Sequence, residues 1–293
     1  MTNRLCRMLS GVLFTLSAGY AGPALAVDVQ PKDWVPAPDG TSAVALYWLM
    51  GKNDGISLNG ERIEASLDSQ ILVPRGVHYF EFSDRPAALS VVMPFGRLSG
   101  GSIAGADLPD ASGLANITVS AASWFVNNPE KQQYMALAAY LTIPTGEYRP
   151  DRVLNLGTDR FSVALQLGGH TALTDKLSFE GTLDIEIFAS NDNANAAGQT
   201  LEQDPAYSLQ TWLSYQVDPT LTLSAGYANY KGGEQKLDGM ETGFKSDRQQ
   251  ARLGVTKWIN PTLSVYGQIN HDFDVDGGFR QDTSAVFRIA KFF

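Results

Sequence analysis

Cysteine is almost missing from this sequence: 293 residues contain one, Cys6. A disulfide framework is therefore excluded, although the lack of thiols suits an oxidising compartment. Histidine is also scarce, with His78, His170 and His271 the full set. No Gly-x-Ser-x-Gly elbow accompanies them, so material for a nucleophile–base pair is thin. Positive charge is short: 22 Lys and Arg face 31 Asp and Glu, a formal net charge of −9. That balance argues against nucleic acid as a partner. Beyond the first residues, no apolar run approaches the roughly 20 residues a transmembrane helix needs. If the chain enters a membrane, it must do so as a closed barrel, because lipid cannot satisfy an open sheet edge.

The N-terminus carries Arg4 and Arg7, an apolar run from Met8 to Ala18, and Ala24-Leu25-Ala26. This pattern reads as a secretory signal cut after Ala26. Removing residues 1–26 takes away two arginines and no acid, so the remaining chain is more acidic still. Residues 27–40 hold Pro31, Pro36 and Pro38 and cannot form a regular element. They are expected to be a periplasmic lead-in, either a mobile tail or a plug anchored by Trp34. Residues 41–293 are expected to form one barrel.

What the sequence has in abundance is alternation. Leu177, Phe179, Leu183, Ile185 and Ile187 fall on one face of a strand at 177–189; Ser178, Glu180, Thr182, Asp184 and Glu186 fall on the other. Similar stretches recur at about 41–52, 75–83, 87–98, 113–126, 131–143, 159–172, 206–217, 220–231, 247–259, 262–274 and the C-terminus. Short turns at 84–86, 127–130, 174–176, 218–219 and 260–261 alternate with longer segments. One is read as a 22-residue loop from Lys52 to Val73, another as a Gly-rich loop at 99–112. The last residues, Ser284 to Phe293, alternate and end on an aromatic, as bacterial outer-membrane barrels do, with Lys291 as a departure. Twelve strands, short turns on one side and long ones on the other predict an all-β chain, a closed antiparallel transmembrane barrel.

Charges on a lipid face are expensive, so parity assigns the polar set to the lumen. The candidate lumen-lining residues are Glu180, Asp184, Glu186, Arg248, Arg252, Arg288, Gln166, Gln210, Tyr266 and Gln268. Arg280, His170, Tyr134, Tyr140 and Trp212 share that side. Opposed acidic and basic walls either set a field across the lumen or pair and brace the barrel. Trp48, Trp124, Trp258 and Tyr227 are expected to form interfacial girdles on the outside. Asp272, Asp274 and Asp276 alternate near an outer loop; without a Gly-centred loop of EF-hand spacing they read as solvated acids, and no metal is expected.

Met93-Pro94-Phe95-Gly96-Arg97, Ile143-Pro144-Thr145-Gly146-Glu147-Tyr148, Leu156-Gly157-Thr158-Asp159-Arg160, Glu202-Gln203-Asp204-Pro205 and Gly232-Gly233-Glu234 occur in that order. Together they resemble the family of outer-membrane barrels named for the meta-cleavage pathway of phenol degradation. The resemblance spans roughly residues 40 to 292. It implies an outer-membrane channel admitting small aromatic or hydrophobic solutes, with lipid and lipopolysaccharide around it and no cofactor. It supplies no binding residues; Pro144, Gly146, Asp159, Gln203, Pro205 and Gly233 match its pattern and read as loop architecture. The competing readings are a closed structural or adhesive barrel and, behind it, a barrel lipid hydrolase.

Overall fold

The computed structural model describes residues 28–293. The expected signal sequence, residues 1–26, and residue 27 lie outside the described residues. Twelve strands form the wall. They are β1 (Ser42–Leu58), β2 (Ala65–Phe82), β3 (Arg85–Val92 continued as Phe95–Ile103), β4 (Ala111–Leu114 continued as Ile117–Asn128), β5 (Gln133–Ile143) and β6 (Ser162–Ala172). Then follow β7 (Leu177–Phe188), β8 (Ala206–Asp218), β9 (Leu221–Gly232), β10 (Asp247–Asn260), β11 (Leu263–Asp276) and β12 (Gly278–Phe292). Each pairs antiparallel with its sequence neighbour. The ring closes where β12 pairs with β1, from Ala43 opposite Phe292 to Ser57 opposite Gly278. Phe293 N–H donates to the Ser42 carbonyl at 2.8 Å, so the final residue locks onto the first strand.

The alternation in the sequence sets which way each residue points. Val44, Leu46 and Trp48 of β1 face outward and are exposed, as are Leu183 and Ile187 of β7 and Phe287 and Ile289 of β12. Their neighbours Ala43, Ala45, Thr182, Val286 and Ala290 are buried. This inversion, apolar outside and polar inside, is what a wall between lipid and water requires.

Two segments read as loops are instead extensions of the wall. Strand β1 continues to Leu58, turns at Asn59-Gly60 with φ of 52° and 77°, and pairs back through Glu61–Ile63. Strand β2 begins at Ala65, so the loop expected from Lys52 to Val73 is a β-hairpin. Positive φ at both central residues is the requirement of a two-residue hairpin turn, and Asn-Gly meets it with little strain. The Gly-rich loop expected at 99–112 likewise contains the end of β3, a turn at Ala104-Gly105 and the start of β4.

The outer rim is built by the segments between β5 and β6, β7 and β8, and β9 and β10. Leu201–Gln203, Gln235–Leu237 and Met240–Glu241 form a small separate sheet there. The backbones of Gly146 and Gly157 touch: a Cβ on Gly146 would stand 2.6 Å from the Gly157 Cα. Asn116 Oδ1 accepts from Gly146 N at 3.1 Å, and Asn116 Nδ2 donates to Thr158 Oγ1 at 2.6 Å. Tyr148 donates to the Ala194 carbonyl at 2.5 Å; burial pushes its hydroxyl up to about 12, so it remains a neutral donor. Gln203 Nε2 donates to the Gly233 carbonyl at 3.0 Å. Gly157→Ala is expected to destabilise this rim by about 1–3 kcal/mol through overpacking. Limited proteolysis of folded protein should then cut within residues 144–161, with the barrel still heat-modifiable on gels.

Candidate functional site

The lumen is not filled by wall side chains alone. Residues 28–40 run inside it. From the periplasmic rim, Gly40 N donates to the Tyr79 carbonyl at 3.0 Å and Tyr79 N to the Thr41 carbonyl at 2.8 Å. The chain then climbs to Asp28. A turn at Gln30–Val35 is closed by Asp33 N to Gln30 O and Val35 N to Lys32 O, both at 3.1 Å.

Small residues on the inner wall make room for this segment, and polar residues hold it. Ala136, Ala138 and Gly168 form a hollow against which the buried Trp34 packs. A Cβ on Gly168 would lie 1.9 Å from the Trp34 ring. Trp34 Nε1 donates to Thr182 Oγ1 at 2.7 Å. Trp124 Nε1 donates to the Trp34 carbonyl at 2.8 Å, and Trp212 Nε1 to the Val29 carbonyl at 3.0 Å. Buried backbone groups without strand partners thus find them in indole N–H groups. Glu180 accepts from Lys32 N at 2.9 and 2.8 Å through its two oxygens, and faces His170 Nδ1 at 3.1 Å.

These contacts correct two expectations. Trp124 is not an outer girdle residue: it points into the lumen and is 3% exposed. Trp48 remains outside, Tyr227 packs against Phe273 at 6.3 Å, and Trp258 against Phe292 at 5.6 Å. The acids of β7 and the arginines of β10 and β12 do not brace the barrel directly. Among the described residues no ion pair joins them. Their partners lie elsewhere. Arg252 Nη2 meets Asp28 at 3.4 Å, and Arg288 Nη1 meets Asp33 at 3.7 Å, both acids belonging to the inner segment.

The remaining candidates line the space above the segment or the layer beside it. Asp184 accepts from Ser208 and from Gln166 at 3.5 Å; Glu186 accepts from Ser162 at 2.7 Å. Gln210 accepts from Val29 N at 3.2 Å and from Arg252 Nη1 at 3.0 Å. Arg248 stacks over Tyr230 at 4.4 Å. Tyr266 donates to Gln268 Oε1 at 2.6 Å, and Gln268 Nε2 to Asn270 at 2.5 Å. Asp272 is buried rather than solvated, accepting from Gln250 at 2.8 Å and Gln281 N at 3.2 Å. A β-bulge at Gln249/Gln250 shifts the register beside it. Asp276 instead pairs with Lys245 at 2.8 Å, at the outer rim. Among the described residues no group of three carboxylates, histidines or cysteines converges on one point. His271 sits exposed beside Asp282 at 3.9 Å, and His78 Nδ1 lies 2.9 Å from Ser42 Oγ.

Above the segment lies a cavity of about 370 Å³. Asp28, Val29, Gln30 and Asp33 form its floor; Asp184 and Glu186 stand on one wall, Arg248 and Arg252 on another. Phe244, Lys245 and Phe279 stand toward its outer mouth. The volume suits a small organic molecule.

A closed barrel with an apolar outer belt, a polar lumen and short turns at one rim defines an integral outer-membrane barrel of the channel type. The chain belongs to the family described as MetA-pathway of phenol degradation, whose model matches residues 39–289. The structure is similar to that of the COG4313 outer membrane channel from Pseudomonas putida F1. Identity is 27%, 91% of this chain and 100% of that chain are covered, and the TM-score is 0.86. Two autotransporter barrels share the fold alone. The beta domain of the Bordetella autotransporter BrkA is 11% identical, covers 86% of this chain and 99% of that one, and gives a TM-score of 0.54. The translocator domain of NalP from Neisseria meningitidis is 14% identical, covers 89% and 90%, and gives 0.52. No curated protein sequence matches the chain. The protein is thus a homologue of an outer-membrane channel.

Proposed function

We propose that this protein lets small aromatic or otherwise hydrophobic solutes diffuse passively across the outer membrane, through the lumen and past the inner segment. The carrying observation is the 370 Å³ cavity, which the inner segment floors without filling the barrel above it. Tyr47 and Tyr230 line this cavity and offer flat surfaces to a ring. Cleavage after Ala26 would leave the lumen segment at the start of the mature chain, and lipopolysaccharide would surround the exposed belt. A closed scaffold draws support from the packing of Trp34, Trp124 and Trp212 below the cavity.

Flux separates the two. Residues 27–293 refolded into liposomes should pass small phenols faster than aliphatic acids and sugars of matched size, after leakage through empty liposomes is subtracted. Equal flux would mean a general pore and defeat the aromatic preference. No flux from a barrel shown to be folded would defeat the channel reading and leave the scaffold.

A further inference from the structure

Among the described residues, seven buried side-chain polar atoms have no hydrogen-bond partner. Four are guanidinium nitrogens: Arg75 Nε, Arg160 Nη1, Arg280 Nε and Arg288 Nε. A buried N–H left unmatched costs free energy, and a charged one costs more. The protein as a whole is acidic, so these four under-satisfied cations stand against its overall charge.

Arg75 and Arg288 show the imbalance best. They project from β2 and β12, the two neighbours of β1, toward one carboxylate, Asp33 of the inner segment. Arg75 Nη1 lies 4.0 Å from Asp33 Oδ2, and Arg288 Nη1 lies 3.7 Å from Asp33 Oδ1. Both exceed the 2.7–3.2 Å of a good N–H···O bond. Asp33 already accepts from Gln30 N at 3.1 Å. Two guanidinium groups thus share one carboxylate that bonds neither closely. Tyr47 lines the same cavity as Arg75. Arg288 lies 5.9 Å from the Tyr47 ring and 5.2 Å from the Tyr266 ring. Asp33, Tyr47 and Arg75 all face the cavity. Five strands from each arginine around the twelve-stranded ring, β7 presents Asp184 and Glu186 to the same space.

We infer that Arg75 and Arg288 form a binding site for an aromatic carboxylate. The guanidinium forks would take the carboxylate, which complements them in charge and in planar geometry. Tyr47, which lines the cavity, would stack on the ring. Asp184 and Glu186 repel an anion from the far wall, which favours the arginine side. The inference rests on the lumen being the solute path, and it narrows the solute from aromatic compounds in general to aromatic acids.

The test uses folded residues 27–293 in detergent micelles, titrated calorimetrically with benzoate, benzyl alcohol and benzylamine. Benzoate should bind at least about tenfold tighter than the neutral and cationic analogues. Arg75→Gln with Arg288→Gln should weaken benzoate about tenfold and leave benzyl alcohol unchanged. Asp33→Asn keeps the acceptor for Gln30 N and removes the competing charge, so it should strengthen benzoate binding. A purely structural role for Asp33 would not give that sign. Equal binding of benzoate and benzyl alcohol overturns the inference, as does an unaltered benzoate affinity in the folded double variant or a weakened one in Asp33→Asn. Ion conductance of the unmodified protein in planar bilayers is recorded alongside. Conductance without benzoate preference sinks the site and keeps the channel; benzoate binding without conductance keeps the site and sinks the channel.

Discussion

Deletion of residues 28–40 is expected to raise single-channel conductance severalfold. A twelve-stranded barrel lies between small barrels filled by side chains and open porins. Here a chain segment makes up the difference. Trp34, Val29 and the turn at Gln30–Val35 occupy the lumen below the cavity, against Trp124, Tyr134 and Trp212. Removing them joins the cavity to the periplasmic rim. The wall strands pair independently of the segment, since the β1–β12 and β1–β2 ladders involve none of its residues. The deleted barrel should therefore still fold and shift on heating, at a lower temperature than the full chain. Planar-bilayer recording at fixed salt checks this, and unchanged conductance would show that the segment does not restrict the path.

Trp34→Ala is expected to carry the largest stability cost of any single change in the segment, about 3–5 kcal/mol. The side chain is 3% exposed, fits against Gly168, and donates to Thr182. Its loss removes aromatic burial and leaves Thr182 without that donor. Gly168→Ala attacks the same contact from the wall. The added methyl would fall 1.9 Å from the ring, so the ring must shift, at about 1–3 kcal/mol. The two costs should not add, because once the indole is gone the methyl meets no ring. Heat-modifiability midpoints of the two single variants and the double variant give the coupling directly. Simple additivity would mean that Trp34 and Gly168 do not touch.

How far this site was legible in the sequence depends on what carried the signal. The inward set on β7 was, because strict alternation separates Glu180, Thr182, Asp184 and Glu186 from Leu183 and Ile187 without reference to any other strand. The pairing of His170 with Glu180 was within reach too: they are opposite each other across the short turn after β6. Trp124 shares the parity of Thr118 and Ser120, which points it inward, against the girdle position expected for it. A large aromatic near a strand end is usually placed at the membrane interface, and only an apolar segment inside the barrel gives it a reason to turn in. Polar residues around Asn59-Gly60 resemble a loop, yet that dipeptide is itself the hairpin signal. The partners of Arg252 and Arg288 were not legible at all. Asp28 and Asp33 lie in a proline-containing stretch with no period, and their positions follow from tertiary packing alone.

Residues 28–40 occupy the lumen beneath the cavity. The most direct test is cross-linking in outer membranes, with Cys6 replaced by serine. Lys32→Cys with Glu180→Cys replaces two residues that meet between segment and wall, the Lys32 N–H lying 2.8 Å from a Glu180 oxygen. Ser90→Cys with Ser120→Cys, whose hydroxyls are 2.7 Å apart on neighbouring strands, serves as the control. With a short bis-maleimide, both pairs should yield an intramolecular product of altered mobility on denaturing gels. A product from the wall pair and none from Lys32→Cys with Glu180→Cys would contradict the account, because the segment would then lie outside the barrel.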